Sequence, residues 1–253
     1  MSRFAFFLGG HDLEMETIRD LIRATGSAAL FDKNLKWGAK ASAYRDEIAE
    51  AVARGLEPVL VELDDDLGLN SATIVVDHHG DRAGVSSPTS LHQVFDLLGL
   101  PHSNWTRWHD LVAANDRGHI RELRKIGATE EEILRVRTAD RAAQGVTNED
   151  EIAGERALLE ATRLADGRLL VVTLPHGHTF VVADRVELAP NPPDGLLIIS
   201  PDEVNFYGTG EVVRLLDSQF PGGWSGGALP ERGFWGSKIR DPHAVARFLA
   251  DQL

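Results

Sequence analysis

Cysteine is absent from this chain of 253 residues. Disulfide bonds and thiolate ligands are therefore excluded, and a bound metal ion must be held by histidine or carboxylate side chains. No apolar run approaches the roughly 20 residues that a membrane-spanning helix requires. We interpret the apolar residues 4–8 as a buried first strand and not as a signal peptide, so a cytoplasmic location is expected.

Basic residues are scarce, with 26 Lys and Arg against 39 Asp and Glu and a formal net charge of -13. Long nucleic acids draw most of their affinity from Lys and Arg side chains that neutralise phosphates, so a long duplex is not expected as a partner. The charge favours a small phosphorylated substrate or a short oligonucleotide. No membrane partner is expected, and a homodimer is left open.

The first half of the chain alternates between strand-like and helix-like segments. Short apolar runs typical of strands occur at residues 4–8, 58–63 and 72–76, and helical spacing occurs at 15–25, 42–55, 88–98 and 105–114. The run at 72–76 is continuously apolar, as in a strand covered on both faces. This alternation predicts right-handed βαβ units and a doubly wound, mainly parallel sheet.

The second half has a different sequence pattern. Charge-rich helices are predicted at 129–143 and 148–165, hairpin-like strands at 169–174, 179–183, 195–200 and 204–207, helices at 210–220 and 242–253, and a Gly-rich loop at 221–236. We therefore predict an α/β fold in three parts. These are a metal-binding α/β domain at 1–127, a helical connector at 128–165 and a small α+β substrate-binding domain at 166–253.

Acidic and histidine residues follow each predicted strand. They are His11, Asp12, Glu14 and Glu16 after the first, Glu62, Asp64, Asp65 and Asp66 after the second, and Asp77, His78 and His79 after the third, with Asp116 at a helix end. Ligands bind beyond the carboxyl ends of parallel strands, and carboxylates that converge there repel one another unless a cation neutralises them. These donors suit manganese or magnesium. Two such ions about 3.5–4 Å apart can activate a hydroxide for attack at phosphorus.

Two segments resemble the DHH phosphoesterase superfamily. One is the strand-like run that leads into Asp77, His78 and His79, and the other is residues 113–118 around Asp116. The superfamily includes family II inorganic pyrophosphatases, exopolyphosphatases, RecJ-type exonucleases and enzymes that degrade very short RNAs or cyclic dinucleotides. The resemblance spans most of the chain. It implies that His78 and Asp116 bind metal and that His79 lies near the substrate phosphate.

The chain departs from the family pattern at three places. The family's first motif has His followed by Asp-x-Asp, and here Asp12 with Glu14 is the preferred acidic pair, with Glu14 and Glu16 as the alternative. For the second motif Asp64 is preferred to Glu62. The family's glycine-rich signature contains a histidine, whereas residues 222–227 contain none.

These observations and the resemblance together predict a metal-dependent phosphoesterase that uses one or two manganese or magnesium ions. The expected metal ligands are His11, Asp12, Glu14, Asp64, His78 and Asp116, the catalytic residues are Asp77 and His79, and the substrate-binding residues are His79, Arg117, Trp224, Ser225, Gly226 and Gly227. The alternative is a non-catalytic protein that binds a nucleotide or phospho-metabolite with the same fold. His176 and His178 are interpreted as ordinary surface histidines at a hairpin turn.

Overall fold

A computed structural model of the chain describes residues 3–26, 28–69, 73–79, 88–238 and 241–253. The chain divides into two compact units, Met1–Gln144 and Gly145–Leu253. Of the helices within the described ranges, none has both the length and the apolar character needed to cross a membrane.

The first unit is built on a parallel sheet. Its strands are β1 (Phe4–Leu8), β2 (Ala29–Asp32), β3 (Glu57–Val61) and β4 (Ile74–Val76), in the spatial order β2-β1-β3-β4. Its helices are α1 (Leu13–Thr25), α2 (Arg45–Ala53), α3 (Ser90–Leu97), α4 (Arg107–Lys125) and α5 (Glu130–Ala143). Every pairing between the named strands of this sheet is parallel, so the predicted α/β fold is confirmed.

The centre of this sheet is occupied by β1 and β3, which are apolar and almost entirely buried. Phe7 of β1 stacks on Phe31 of β2 with 4.8 Å between ring centroids. The Tyr44 hydroxyl donates to the Leu8 carbonyl at 2.7 Å, which satisfies a main-chain acceptor at the end of β1. Because β1, β3 and β4 run in the same direction, the residues that follow them lie at one rim of the sheet.

The second unit contains a mixed sheet. Its strands are β5 (Thr162–Leu164), β6 (Leu169–Thr173), β7 (Gly195–Ile199), β8 (Val204–Gly208), β9 (Trp224–Ala228) and β10 (Arg232–Ser237), in the order β5-β6-β7-β8-β10-β9. Its helices are α6 (Asn148–Leu159), α7 (Phe180–Glu187), α8 (Gly210–Gln219) and α9 (Pro242–Gln252). The pair β6 and β7 is parallel, and the other pairings are antiparallel.

Two secondary-structure predictions for this unit are wrong. Residues 179–183, predicted as a strand, open α7 instead. Val182 and Val186 lie one helical turn apart and are both buried in the same apolar cluster as Val181. Burial on one helix face therefore outweighs the β-propensity of the Thr-Phe-Val-Val run.

The Gly-rich segment 221–236, predicted as a loop, contains β9 and β10 instead. Gly236 pairs with Trp224 and Gly226 with Phe234 across the two strands. A Cβ atom on Gly236 would lie 2.4 Å from the Trp224 ring, and one on Gly226 would lie 2.9 Å from the Phe234 ring. The glycines therefore make room for aromatic rings on the neighbouring strand and do not mark a loop.

The segment 128–165 contributes to both units. It supplies α5 to the first unit, where this helix packs on α1 and α4, and it supplies α6 and β5 to the second. The helix predicted at 148–165 ends at Leu159, and the edge strand β5 follows it.

Candidate metal centre

Two acidic residues are presented by the start of α1. The Asp12 side chain caps this helix by accepting a hydrogen bond from the Met15 amide at 2.9 Å. Glu14 lies in the first turn, is only 2% exposed and points into the protein. Its Oε1 atom accepts from the Leu91 amide at 2.9 Å. A glutamate in a first helical turn is usually solvated, so burial at this position indicates a specific role.

Glu62 directly follows β3, and its main chain contacts both Gly9, which follows β1, and Val76, the last residue of β4. Its backbone has a φ of 53°, a left-handed conformation that a non-glycine residue rarely adopts. Its amide donates to the Val76 carbonyl at 2.8 Å. A Cβ atom on Gly9 would lie 2.2 Å from the Glu62 carbonyl oxygen, so only glycine permits this approach. The ends of β1, β3 and β4 are therefore held together by backbone contacts.

The N-terminus of α3 holds both glutamates. The Leu91 amide donates to Glu14, and the Ser90 hydroxyl donates to Glu62 Oε1 at 2.9 Å. The positive end of the helix dipole favours negative charge at this position. The two carboxylates are thus oriented by an amide and a hydroxyl at the start of one helix.

His78 and Asp116 complete a cluster with these glutamates. His78 Nε2 lies 2.5 Å from Asp116 Oδ2, 3.7 Å from Glu14 Oε2 and 3.9 Å from Glu62 Oε1. His78 follows β4, and Asp116 lies on α4 just before the helix is interrupted at Gly118 and His119. Side chains that are up to about a hundred positions apart in the sequence therefore meet at one rim of the sheet.

Three atoms of this cluster are buried and orphaned. Among the described residues, Glu14 Oε2, His78 Nε2 and Asp116 Oδ2 lack a hydrogen-bond partner. The short contact between His78 and Asp116 does not have hydrogen-bond alignment, so it satisfies neither atom. Buried polar atoms without partners are costly, and a cation bound between them would remove that cost. The donor set, two carboxylates and an imidazole, fits a divalent metal ion.

The pKa values of the residues at this rim also favour a bound cation. Burial, and then repulsion from Glu62 and Asp116, raises the pKa of Asp12 to about 7 against the Met15 hydrogen bond. Burial also raises the pKa of Glu14 and of Glu62, and Asp116 adds to both. Burial alone would lower the pKa of His78, but its contacts with Asp116 and Glu62 raise it overall. A cation bound among these carboxylates would favour their charged forms and so oppose the raised pKa values.

His79 and Asp77 lie on the more exposed side of this cluster. His79 Nδ1 lies 3.1 Å from Asp77 Oδ1 and 3.7 Å from Glu62 Oε1. The His79 amide also donates to Asp77 Oδ1 at 2.9 Å, which fixes the turn after β4. Both side chains line an open cleft of about 310 Å³, together with Glu62 and Trp37. Trp37 is 74% exposed, and its ring lies edge-on to His79 at 6.2 Å.

A buried polar network of α5 connects the two helices that carry Asp116 and Glu14. Arg137 of α5 is fully buried, and its Nη1 donates to Asn115 Oδ1 at 2.8 Å and to Asp140 Oδ2 at 2.7 Å. Asp140 Oδ1 accepts from the Leu13 amide at 3.3 Å. The network therefore joins Asn115, the neighbour of Asp116, to Leu13, the first residue of the helix that carries Glu14.

The other sequence-predicted residues of the first unit lie in varied positions. Asp64 is exposed, and its main chain bridges to Lys40, whereas the alternative, Glu62, is buried in the cluster. His11 is half-buried beside Asp12. Glu16 lies 3.3 Å from Arg19 and is not among the described groups that converge on a common point. Arg117 follows Asp116 in the sequence, and its side chain is exposed.

The predicted substrate residues of the second unit lie on β9. Trp224 is partly exposed. The Ser225 hydroxyl donates to Asp217 at 2.7 Å, so it faces a carboxylate and not an anion site. Gly226 and Gly227 pair with Phe234 and Gly233 of β10.

The residues that hold the two glutamates were not predicted from the sequence. The signal was present, because Thr89 and Ser90 precede an apolar helical run and such residues favour a helix N-terminus. The burial of Arg137 had no signal of this kind, since the same spacing of charges is typical of an exposed helix.

Known proteins were compared with this chain. No family model matches the sequence, and no curated protein matches it significantly. Among solved structures, an exopolyphosphatase-related protein from Bacteroides fragilis is 11% identical, with a TM-score of 0.48 over 98% of this chain and 92% of that one. The exonuclease RecJ bound to manganese is 14% identical, with a TM-score of 0.42 over 97% of this chain and 88% of that one.

RecJ from Thermus thermophilus in complex with Mn²⁺ is 15% identical, with a TM-score of 0.45 over 98% of this chain and 52% of that chain. Exopolyphosphatases and RecJ-type exonucleases are among the proteins of the DHH superfamily, which the sequence motifs resemble.

Proposed function

We propose that the first unit is the centre of a metal-dependent phosphoesterase that acts on a small phosphorylated molecule, a nucleotide or a short oligonucleotide. The observation that supports this most strongly is the convergence of Glu14 Oε2, His78 Nε2 and Asp116 Oδ2, all buried and without hydrogen-bond partners among the described residues. A structural ion pair would bring opposite charges together, whereas this cluster brings several acids around one imidazole.

Glu14, His78 and Asp116 are the proposed ligands of one manganese or magnesium ion. Glu62, His78 and His79 form a second group of converging donors, which overlaps the first at His78. Because a neutral imidazole offers one nitrogen lone pair, His78 can serve one of the two groups at a time, and a second ion would need a further donor beside Glu62. Glu62 replaces Asp64 in this assignment because only Glu62 is buried at the rim. When bound, a divalent ion supplies positive charge that polarises a phosphoryl oxygen and lowers the pKa of a water molecule.

His79 and Asp77 are proposed to act on the substrate. In this role His79 acts as an imidazolium: Nδ1–H donates to Asp77, which fixes the ring orientation, and Nε2–H donates to a phosphoryl oxygen. Arg117, the neighbour of Asp116 in the sequence, supplies a guanidinium for a second oxygen. These groups stabilise the charge that develops on the phosphoryl group during hydrolysis.

The cleft favours small substrates. Its volume of about 310 Å³ accommodates a phosphoryl group and an adjoining sugar or base but not a duplex. Trp37 offers an exposed ring on which a base can stack. Within the second unit, Trp224 is proposed as a further stacking surface because its ring is partly exposed.

Manganese binding and product release, measured as inorganic phosphate or as nucleotide according to the substrate, test this proposal together. Wild type, Asp116→Asn and the control Asp96→Asn are titrated with Mn²⁺ by calorimetry and assayed with pyrophosphate, a nucleoside triphosphate, a cyclic dinucleotide and a dinucleotide. Asp96 is an exposed aspartate on α3 of the same unit. Loss of even a supporting residue costs a metal centre roughly 10–100-fold. We therefore expect Asp116→Asn to lose at least about 100-fold in both measurements and Asp96→Asn to match wild type.

The outcomes separate the proposal from its alternative. If wild type binds Mn²⁺ and nucleotides tightly but turns none of the panel over, the chain is a non-catalytic binding protein with the same site. If Asp116→Asn binds Mn²⁺ as wild type does, the ligand assignment is refuted.

A further inference from the structure

The loop between β6 and α7 brings two histidines to a carboxylate of the second unit. His176 and His178 lie on this loop, and Asp150 lies in the first turn of α6. His178 Nδ1 is 3.0 Å from Asp150 Oδ2, and His176 Nε2 is 3.7 Å from Asp150 Oδ1. The two imidazole rings are 5.6 Å apart between centroids. Each ring therefore directs one nitrogen towards the same carboxylate.

Asp150 is held in place by its role at the start of α6. Its Oδ2 atom accepts from the Thr147 amide and from the Thr147 hydroxyl, both at 3.0 Å. The Thr147 amide bond is the largest of the causes that lower the pKa of Asp150. The residue is therefore a fixed carboxylate at neutral pH. Its Oδ1 atom takes no part in the cap and, within the described residues, accepts no hydrogen bond.

The histidines are also oriented by the main chain. The His178 amide donates to His176 Nδ1 at 3.2 Å, and His176 Nε2 lies 3.2 Å from the Asp150 carbonyl oxygen. The side chain of His176 is 16% exposed and that of His178 is 40% exposed, so solvent reaches the group from the side of His178. A ligand can therefore enter without unfolding the loop.

We propose that Asp150, His176 and His178 form a second metal site, for a first-row transition ion such as Zn²⁺. One ligand atom from each residue lies within 4.8 Å of the others, a spread that can contract around a single ion. Two imidazoles with one carboxylate are a donor set typical of zinc and are softer than the acid-rich rim of the first unit. A bound ion would join the β6–α7 loop to the start of α6.

Binding changes the protonation of His176. The ring that accepts at Nδ1 carries its proton on Nε2, the atom nearer the carboxylate. In His178, Nδ1 donates its proton to Asp150 Oδ2, and this proton moves to Nε2 of the same ring when Nδ1 binds the ion. In His176, Zn²⁺ takes the Nε2 lone pair, the proton moves to Nδ1, and the hydrogen bond from the His178 amide is given up. At 3.2 Å that bond is at the long end of the range for N–H donors, so little is lost.

Histidine side-chain NMR of the full chain tests the site with Zn²⁺ as the probe. Long-range ¹H–¹⁵N spectra distinguish the two tautomers of each ring, and assignment uses His176→Gln and His178→Gln. With one equivalent of Zn²⁺ beyond the amount that saturates the first unit, we expect His176 to change from the Nε2–H to the Nδ1–H form. The resonances of His243, a histidine on α9 remote in sequence from this loop, should not move.

Matched variants measure the contribution of each ligand. Asp150→Asn keeps an acceptor for Thr147 and so preserves the cap, while it removes the ligand charge. We expect His176→Gln, His178→Gln and Asp150→Asn each to weaken this Zn²⁺ affinity by at least about 10-fold, because even supporting residues contribute that much. The control His243→Gln should bind as wild type does.

Two results would overturn the proposal. One is an unchanged His176 tautomer at saturating Zn²⁺, and the other is equal Zn²⁺ affinity in wild type, His176→Gln and His178→Gln. The melting temperature of each variant without metal is measured beside the affinity, so that a folding defect is not read as loss of a ligand. Because the readouts belong to residues of the second unit, they do not depend on the activity of the first.

Discussion

The protonation of Asp12 predicts that the metal-free protein becomes less stable as pH rises. The pKa of Asp12 is raised from its ordinary value of 3.8 to about 7 in the folded state. Below pH 3.8 both states hold the proton, so there is no penalty. Between 3.8 and about 7 the unfolded chain releases its proton while the folded chain keeps it, and stability falls. Above that range the loss is complete.

The size of the effect follows from this difference. One pH unit corresponds to about 1.36 kcal/mol, so Asp12 alone lowers the free energy of unfolding by up to about 4 kcal/mol across this range. Glu14 and Glu62 act in the same direction, since the pKa of each is also raised. A bound cation stabilises the charged carboxylates and should abolish the decline.

The assay is urea unfolding from about pH 4 to about pH 8, in EDTA and in saturating MnCl₂, followed by hydrogen exchange of peptides that cover β1 and β3. These peptides report on the first unit alone. Asp12→Asn retains an N-cap residue. In EDTA, the free energy of unfolding of this variant should fall less steeply with pH, by the amount calculated above for Asp12. Parallel curves for wild type and Asp12→Asn, or an EDTA curve that rises with pH, would refute the reasoning.

Three further predictions concern other parts of the first unit. Arg137→Met leaves the buried Asp140 carboxylate without its positively charged partner and should cost about 3–5 kcal/mol in urea unfolding. Arg135→Met, at an exposed position on the same helix, should cost less than about 1 kcal/mol. Gly9→Ala places a Cβ atom 2.2 Å from the Glu62 carbonyl oxygen and should lower the free energy of unfolding by at least about 1–3 kcal/mol. In the control Gly177→Ala the new Cβ atom meets open space, so the melting temperature should not change. Trp37→Ala removes an exposed ring and should leave stability within about 0.5 kcal/mol, but it should raise KM for base-containing substrates roughly 5–100-fold and leave pyrophosphate hydrolysis unchanged.

The rim of the first sheet was predictable because its signals are local. The apolar run before Asp77 identifies β4, and the carboxyl ends of parallel strands bring the residues after them to one place. No local sequence signal shows that Glu62, and not Asp64, lies in the cluster. Its place there depends on the left-handed backbone of Glu62 and on the approach of Gly9, neither of which has a sequence signal.

The second unit was less predictable for a related reason. In residues 179–183 the β-propensity pointed to a strand, but packing of Val182 and Val186 on one face selected a helix. The glycines of 221–236 have the composition of a loop, yet they lie opposite aromatic rings in a hairpin. In both cases tertiary contacts overrode a short-range preference.

The close approach of Gly9 to the Glu62 carbonyl has a consequence for ion selection. The main chain after β1 and the main chain at Glu62 are in direct contact, so they cannot approach each other further. Side-chain carboxylates carried on such a closely packed main chain favour the short metal–oxygen distances of a small cation. Calcium, which takes six to eight oxygen ligands at about 2.3–2.6 Å, should therefore compete poorly with the smaller ions that the rim suits.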